Sequence, residues 1–208
     1  MLTIAITQPY AIDREDAIIR HLLANGFDIV HLRKPDADID YCRELLELLT
    51  PSERARIVIH DHCVLYEEYA LRGVHLNRNI STYPSHYRGS RTRSCHTLEE
   101  VSKYKNECDY LFLSPIFDSI SKRGYRSKFS HEELLSASMH GIIDSKVVAL
   151  GGVTADNIDY LRSLNFGGVA MLGGVNRWLC WSLLVRWGYP IGTMRHKIHK
   201  NPSQANIH

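Results

Sequence analysis

Short β-rich hydrophobic runs alternate with amphipathic segments along most of the chain. Eight such runs predict β-strands, and the two weakest are the very short fourth run and the polar fifth. The runs cover residues 2–7, 28–33, 56–61, 73–76, 92–95, 109–115, 146–151 and 167–172.

The segments between these runs show helical spacing. Ile18, Ile19, Leu22 and Leu23 share one face of a predicted helix near 14–25, which Gly26 ends. Capping boxes predict where two later helices begin. The further predicted helices cover 39–49 and 62–71 and begin at Thr97, at Ser130 and at Thr154.

Eight strands, each followed by a connection long enough for a crossover helix, favour parallel pairing and a closed (β/α)8 (TIM) barrel of the α/β class. An open doubly wound sheet shows the same alternation. The count of eight and the lack of an early GxGxxG motif in the sequence favour the barrel. We assign residues 1–176 to this domain.

Residues 177–208 differ from the barrel and are predicted to form a C-terminal helix followed by a partly disordered tail. All three tryptophans lie near its start, and no Asp or Glu follows Asp159. A helix that covers the barrel, a basic interaction tail and an abnormal end from a shifted reading frame remain alternatives.

Composition and charge exclude several classes of protein. The formal net charge of +2 gives no general case for nucleic-acid binding. No apolar run reaches the roughly 18 residues that a membrane span needs, and the start MLTIAITQPY does not resemble a signal peptide. The five scattered cysteines contain no CxxC pair. We therefore expect a cytoplasmic protein that binds neither nucleic acid nor membrane, and we leave a homo-oligomer open.

Two glycine pairs end the last two predicted strands. Gly151 and Gly152 follow strand seven, and Gly173 and Gly174 follow strand eight. In such barrels phosphate often binds at these two positions, where backbone N–H groups can approach an anion. Each pair alone fits a tight turn with positive φ equally well. Their joint position predicts a phosphate site.

Polar side chains cluster at the carboxyl ends of the other strands. These strand-end residues are His31, Arg33, Lys34, His60, Asp61, Ser94, His96, Ser119, Ser121, Lys122 and Arg123. Arg33, Lys122 and Arg123 are candidates to bind a second, more highly charged anion such as pyrophosphate. Asp61 is a candidate ligand for Mg²⁺.

Seven segments, taken in order, resemble the thiamine phosphate synthase family over residues 2–176. They are HLRK (31–34), RIVIHD (56–61), GVHL (73–76), SCHTLEEV (94–101), DYLFLSPIFDSISK (109–122), ALGGVTADNI (149–158) and GGVAMLGGV (167–175). The resemblance implies a (β/α)8 barrel that joins hydroxymethylpyrimidine pyrophosphate to a thiazole phosphate. Pyrophosphate would leave with Mg²⁺ assistance, through a carbocation-like pyrimidine.

The resemblance also assigns roles to individual residues. Arg33, Ser94 and Lys122 match the residues that handle the pyrophosphate, and we expect them to be catalytic. Asp61 matches one Mg²⁺ ligand. The remaining expected substrate-binding residues are His31, Lys34, His60, Ser119, Ser121, Gly151, Gly152, Leu172 and Gly173.

Departures from the pattern leave alternatives open. His31 replaces a glutamine, His60 replaces an asparagine, Pro35 replaces a lysine beside Lys34, and HLNRNI (75–80) lacks the second metal-binding acid. The related TenI-type thiazole tautomerases begin this strand-two motif with histidine, as here. Their proton-transfer histidine, however, is Ser114 in this chain. Lys122 favours the synthase, a tautomerase is the runner-up, and a catalytically silent thiazole-phosphate-binding barrel is a third hypothesis.

Overall fold

Eight parallel strands form a closed barrel in this computed structural model, which describes residues 1–77, 81–118 and 127–172. The strands are β1 (Leu2–Ile6), β2 (Ile29–Leu32), β3 (Ile57–Ile59), β4 (Gly73–Leu76), β5 (Ser90–Cys95), β6 (Tyr110–Leu113), β7 (Val147–Leu150) and β8 (Gly168–Met171). They pair in chain order, and β8 closes on β1 with Leu2 opposite Gly168. The predicted (β/α)8 barrel is confirmed, and the open sheet is excluded.

Helices connect most of the strands. They are α1 (Glu15–Ala24), α2 (Ile39–Glu47), α3 (Pro51–Arg54), α4 (Leu65–Glu68), α5 (Leu98–Tyr104), α6 (His131–Met139) and α7 (Ile158–Ser163). The capping box of Ser130 and Glu133 is confirmed. At α5, Thr97 caps the helix, but the Glu100 carboxylate accepts its bond from the N–H of His96 instead.

The connection between β4 and β5 lacks a helix in its described part, residues 77 and 81–89. Two stacked tyrosine rings lie there, with the centroids of Tyr83 and Tyr87 4.8 Å apart. The Tyr87 hydroxyl accepts a bond from the Val74 N–H and donates one to the Ser90 carbonyl. These aromatic side chains therefore hold the first residues of both strands.

Apolar side chains fill most of the barrel interior, as the period of two along each strand requires. Buried residues of this core include Ile4, Ile29, Val58, Phe112 and Val148. The sector from β2 to β5 is polar instead, with buried histidine and threonine side chains.

Residues 177–208 lie outside the described part of the chain, so the prediction of a C-terminal helix and tail stays a prediction. No helix within the described residues is long and apolar enough to cross a bilayer.

Candidate functional site

A cavity of about 590 Å³ opens at the carboxyl ends of the strands. Six of the candidate residues from the sequence line it, namely Arg33, His60, Asp61, Ser94, His96 and Leu172. A larger cavity of about 800 Å³ lies at the opposite end, against the first residues of β1, β5 and β6. Because ligands of such barrels bind at the carboxyl ends of the strands, we take the first, called the mouth cavity below, as the candidate site.

Arg33 presents its guanidinium at the mouth cavity. Its backbone is fixed, since the N–H donates to Thr7 Oγ1 at 3.0 Å and the carbonyl accepts from the same hydroxyl at 3.2 Å. The half-buried guanidinium makes no hydrogen bond or ion pair with the residues that the structure describes. A guanidinium without a partner among the described residues suits bidentate binding of a phosphate group.

Asp61 lines the same cavity just after β3. Its Oδ2 accepts a hydrogen bond of 2.9 Å from the backbone N–H of Lys34, which holds the carboxylate beside the end of β2. Within the described residues, Oδ1 has no partner and is available to a ligand or an ion.

Lys34 does not line this cavity, so the structure does not bring it together with Arg33 and Asp61, and its role in substrate binding stays a prediction. The side chain is 1% exposed. Its ammonium donates to the carbonyls of Gln8 and Tyr10 at 2.9 and 2.7 Å and to a Glu15 carboxylate oxygen at 2.7 Å. An ammonium has three donors, and all three are used. Lys34 therefore fixes the loop after β1 to α1.

Three histidines, His31, His60 and His75, form a buried histidine cluster below the mouth cavity. His31 Nδ1 and His60 Nε2 are 2.7 Å apart, and the rings of His60 and His75 stack with centroids 4.1 Å apart. His60 lines the cavity, whereas His31 is fully buried and does not line it. The structure thus does not bring His31 to the cavity, and its contact with substrate stays a prediction.

Hydroxyl groups surround the histidine cluster. Tyr110 OH lies 2.6 Å from His31 Nε2, while Thr92 Oγ1 and Ser94 Oγ each lie 2.8 Å from a ring nitrogen of His75. Burial lowers the pKa of His31 and of His60 well below the usual value, and it lowers the pKa of His75 to about 3. All three rings are therefore neutral at neutral pH.

The turn after β7 requires glycine. Gly151 and Gly152 have φ of 96° and 64°, a region that side chains disfavour. A Cβ on Gly152 would lie 2.5 Å from the Asp118 carbonyl oxygen and 2.7 Å from Phe117 Cβ. No described residue accepts a hydrogen bond from the N–H of Gly152 or of Val153. The turn thus combines a steric need for glycine with N–H groups suited to an anion.

Several predicted site residues lie outside the described part of the chain. They are Ser119, Ser121, Lys122, Arg123, Gly173 and Gly174. Their assigned roles stay predictions.

Sequence reasoning missed three residues of the site. Arg93 lines the mouth cavity with its guanidinium 3.9 Å from the centroid of the Tyr104 ring. His75 and Thr92 complete the histidine cluster and its hydroxyl shell. The period of two in GVHL and TRSC could have placed His75, Thr92 and Ser94 together on the inner face.

Comparison with known proteins shows what this chain is similar to. Residues 3–175 match the family model described as thiamine monophosphate synthase. The crystal structure of a thiamine phosphate pyrophosphorylase from Bacteroides thetaiotaomicron is 41% identical, covers 84% of each chain and superposes with a TM-score of 0.77. The thiamine-phosphate synthase of Salinibacter ruber is 25% identical over 79% of this chain and 76% of its own length. That of Parasynechococcus marenigrum is 25% identical over 76% of this chain, but the match spans only 44% of the relative.

Proposed function

Since this chain belongs to the thiamine monophosphate synthase family, we propose that it joins hydroxymethylpyrimidine pyrophosphate to a thiazole phosphate and releases pyrophosphate. It would thus act as a transferase of the thiamine-phosphate diphosphorylase type. The observation that carries the proposal is the meeting of Arg33, Asp61 and Ser94 around one cavity. An unpaired cation, a carboxylate and a hydroxyl are the groups that a metal-bound pyrophosphate requires.

Different residues bind the two anionic groups, the pyrophosphate and the thiazole phosphate. The guanidinium of Arg33 binds the pyrophosphate and stabilises the negative charge that grows on it as the C–O bond to the pyrimidine methylene breaks. Lys122, for which we keep the predicted role, adds a second cation. The N–H groups of Gly152 and Val153 bind the phosphate of the thiazole phosphate, whose ring nitrogen attacks the methylene.

Asp61 is suited to supply one of the ligands of a Mg²⁺ ion. One of its carboxylate oxygens is unpaired within the described residues, and the other is tied to the Lys34 N–H. Mg²⁺ commonly keeps several waters and uses one or two carboxylates together with substrate phosphates. When bound, the ion would neutralise charge on the pyrophosphate. With Asp61 as the identified carboxylate ligand, we expect the reaction to need Mg²⁺ at a roughly millimolar concentration.

The proposed function is tested by measuring thiamine phosphate formation from the two purified precursors across a Mg²⁺ series. We expect the wild type to form thiamine phosphate. We expect Asp61→Asn to need a higher Mg²⁺ concentration to reach the same rate. The amide keeps an acceptor for the Lys34 N–H, so the melting temperature should hardly change. No product at any Mg²⁺ concentration contradicts the proposal. A large loss of stability in Asp61→Asn would instead assign that residue to the fold.

Replacing Arg33 by alanine should reduce turnover by at least about tenfold, equivalent to roughly 1.4 kcal/mol of transition-state stabilisation. The reason is the loss of the unpaired guanidinium at the cavity. Steady-state kinetics with saturating precursors measure the effect. Arg43→Ala is the control, because Arg43 forms its ion pairs with Asp40 and Glu68 on the surface. Equal rates in the two variants would remove Arg33 from the reaction.

One observation favours a second candidate, the thiazole tautomerase. His60 reaches the cavity with 5% of its surface exposed and bonds to His31, so a proton acceptor lies beside the ligand site. The tautomerase would be supported if the protein isomerised a thiazole carboxylate phosphate at a rate independent of Mg²⁺ and formed no thiamine phosphate. Binding of thiazole phosphate without either turnover would support a silent barrel.

A further inference from the structure

The histidine cluster brings three neutral nitrogen ligands into the barrel interior. One ring nitrogen of each of His31, His60 and His75 lies within 4.8 Å of the other two. We propose that these histidines bind a divalent transition metal ion such as Zn²⁺, at a site separate from the Asp61 carboxylate. The proposal does not rest on the proposed reaction, although His60 and Ser94 also line the mouth cavity.

The chemistry of the donors selects the metal. Imidazole nitrogen suits Zn²⁺, Co²⁺, Cu²⁺ and Ni²⁺, whereas Mg²⁺ and Ca²⁺ require oxygen ligands. No carboxylate belongs to the cluster of potential metal ligands identified in the described residues.

The hydroxyl shell resembles the outer shell of protein metal sites. Ligand histidines usually hold their second ring nitrogen in a hydrogen bond, which fixes the tautomer and the orientation of the ring. Here Tyr110 OH holds His31 Nε2, which leaves Nδ1 directed at His60. A hydroxyl lies at each ring nitrogen of His75, one from Thr92 and one from Ser94. Either hydroxyl can keep its hydrogen bond and fix the ring while the ion replaces the other at its nitrogen.

To close on an ion, the ligand nitrogens, which lie within 4.8 Å of one another, must move by up to about 1.5 Å. Nitrogens bound to tetrahedral zinc at about 2.0–2.1 Å lie about 3.3 Å from one another. The His31–His60 pair at 2.7 Å must therefore open by roughly 0.6 Å. His60 follows the last residue of β3 and is not part of the strand, which makes it the member best placed to move.

The mouth cavity provides an entry path and a fourth ligand. His60 forms part of its lining, so an ion that enters there meets the cluster first at this ring. A site with three histidines and one water is a known arrangement for zinc. The positive charges of Arg33, Arg72 and Arg93 act on the cluster and oppose a cation, so we expect binding weaker than in histidine sites without nearby arginines.

The test is a titration of chelator-treated full-length protein with Co²⁺, followed by visible absorption and then by displacement with Zn²⁺. We expect one Co²⁺ per chain with the intense absorption of a tetrahedral nitrogen site. His75→Gln should abolish this absorption. Thr92→Val, which nearly keeps the side-chain volume and removes one hydroxyl partner of His75, should weaken Co²⁺ binding by about tenfold or more.

The control is His140→Gln, since His140 is exposed immediately after α6 and lies outside the cluster. It should bind Co²⁺ as the wild type does. Absence of a tetrahedral spectrum overturns the proposal, as does a spectrum that survives in both His75→Gln and Thr92→Val. If His75→Gln does not fold, Thr92→Val decides the result. No thiamine precursor is present, so this outcome does not depend on the proposed function.

Discussion

Replacing Lys34 by alanine should lower the free energy of unfolding by about 3–5 kcal/mol, because it leaves the carboxylate of Glu15 charged and unpaired in the interior. The two side chains are 1% and 3% exposed and lie 2.6 Å apart. The change would also remove two bonds to backbone carbonyls in the loop after β1. Urea unfolding followed by circular dichroism measures the loss.

Two further variants separate the buried pair from ordinary ion pairs. Arg162→Ala breaks a bridge to Asp159 that is exposed on both sides, and it should cost about 0–1 kcal/mol. The double variant Lys34→Met/Glu15→Leu removes both charges and should recover much of the loss, since a buried pair replaced by apolar groups is often neutral. A loss below 1 kcal/mol in Lys34→Ala would show that the pair does not stabilise the barrel.

The separation of Lys34 from the mouth cavity has a physical cause that the sequence partly contained. Successive residues of a strand point to opposite faces. His31 lies inside the barrel, so Arg33 continues on the inner side while Lys34 points to the helix layer. The strand alternation therefore separates these two neighbouring cations. The partner Glu15, nineteen residues earlier, follows only from how α1 packs.

Strand positions were predictable because each depends on a local run. All eight lie within two residues of the predicted bounds, and β8 pairs with β1 as a closed barrel demands. The residues at the rim of the mouth cavity could be predicted from these strand positions, since parallel strands bring their carboxyl ends to one edge. Arg33, Asp61 and Ser94 do meet there.

The helix predicted over 62–71 was too long, for a reason that spacing does not reveal. It is confined to Leu65–Glu68, because His62 and Ala70 both have positive φ, of 54° and 50°, which α-helical backbone excludes. The histidine cluster was missed as a unit because its three members come from β2 to β4. Their contact depends on the register between strands, which no local pattern contains.

Replacing Gly152 by aspartate should abolish the binding of thiazole phosphate, the second large effect we expect. The substitution adds a carboxylate beside the N–H groups that we propose as the phosphate cradle. It also adds a Cβ within 2.5 Å of the Asp118 carbonyl oxygen, at a φ of 64°. Strain and charge thus act together, and a single variant cannot tell which of them prevents binding.

Gly152→Ala separates the two causes, because it has the same Cβ and the same backbone strain without the charge. We expect both variants to lose comparable stability, since the contacts with Phe117 and Asp118 are the same. Titration calorimetry with thiazole phosphate should then show affinity at least about a hundredfold weaker in Gly152→Asp than in Gly152→Ala, because like charges in contact cost several kcal/mol. Inorganic phosphate should likewise bind more weakly to Gly152→Asp than to Gly152→Ala. If the two folded variants bind equally, no phosphate approaches this turn, and the cradle must be sought elsewhere on the rim.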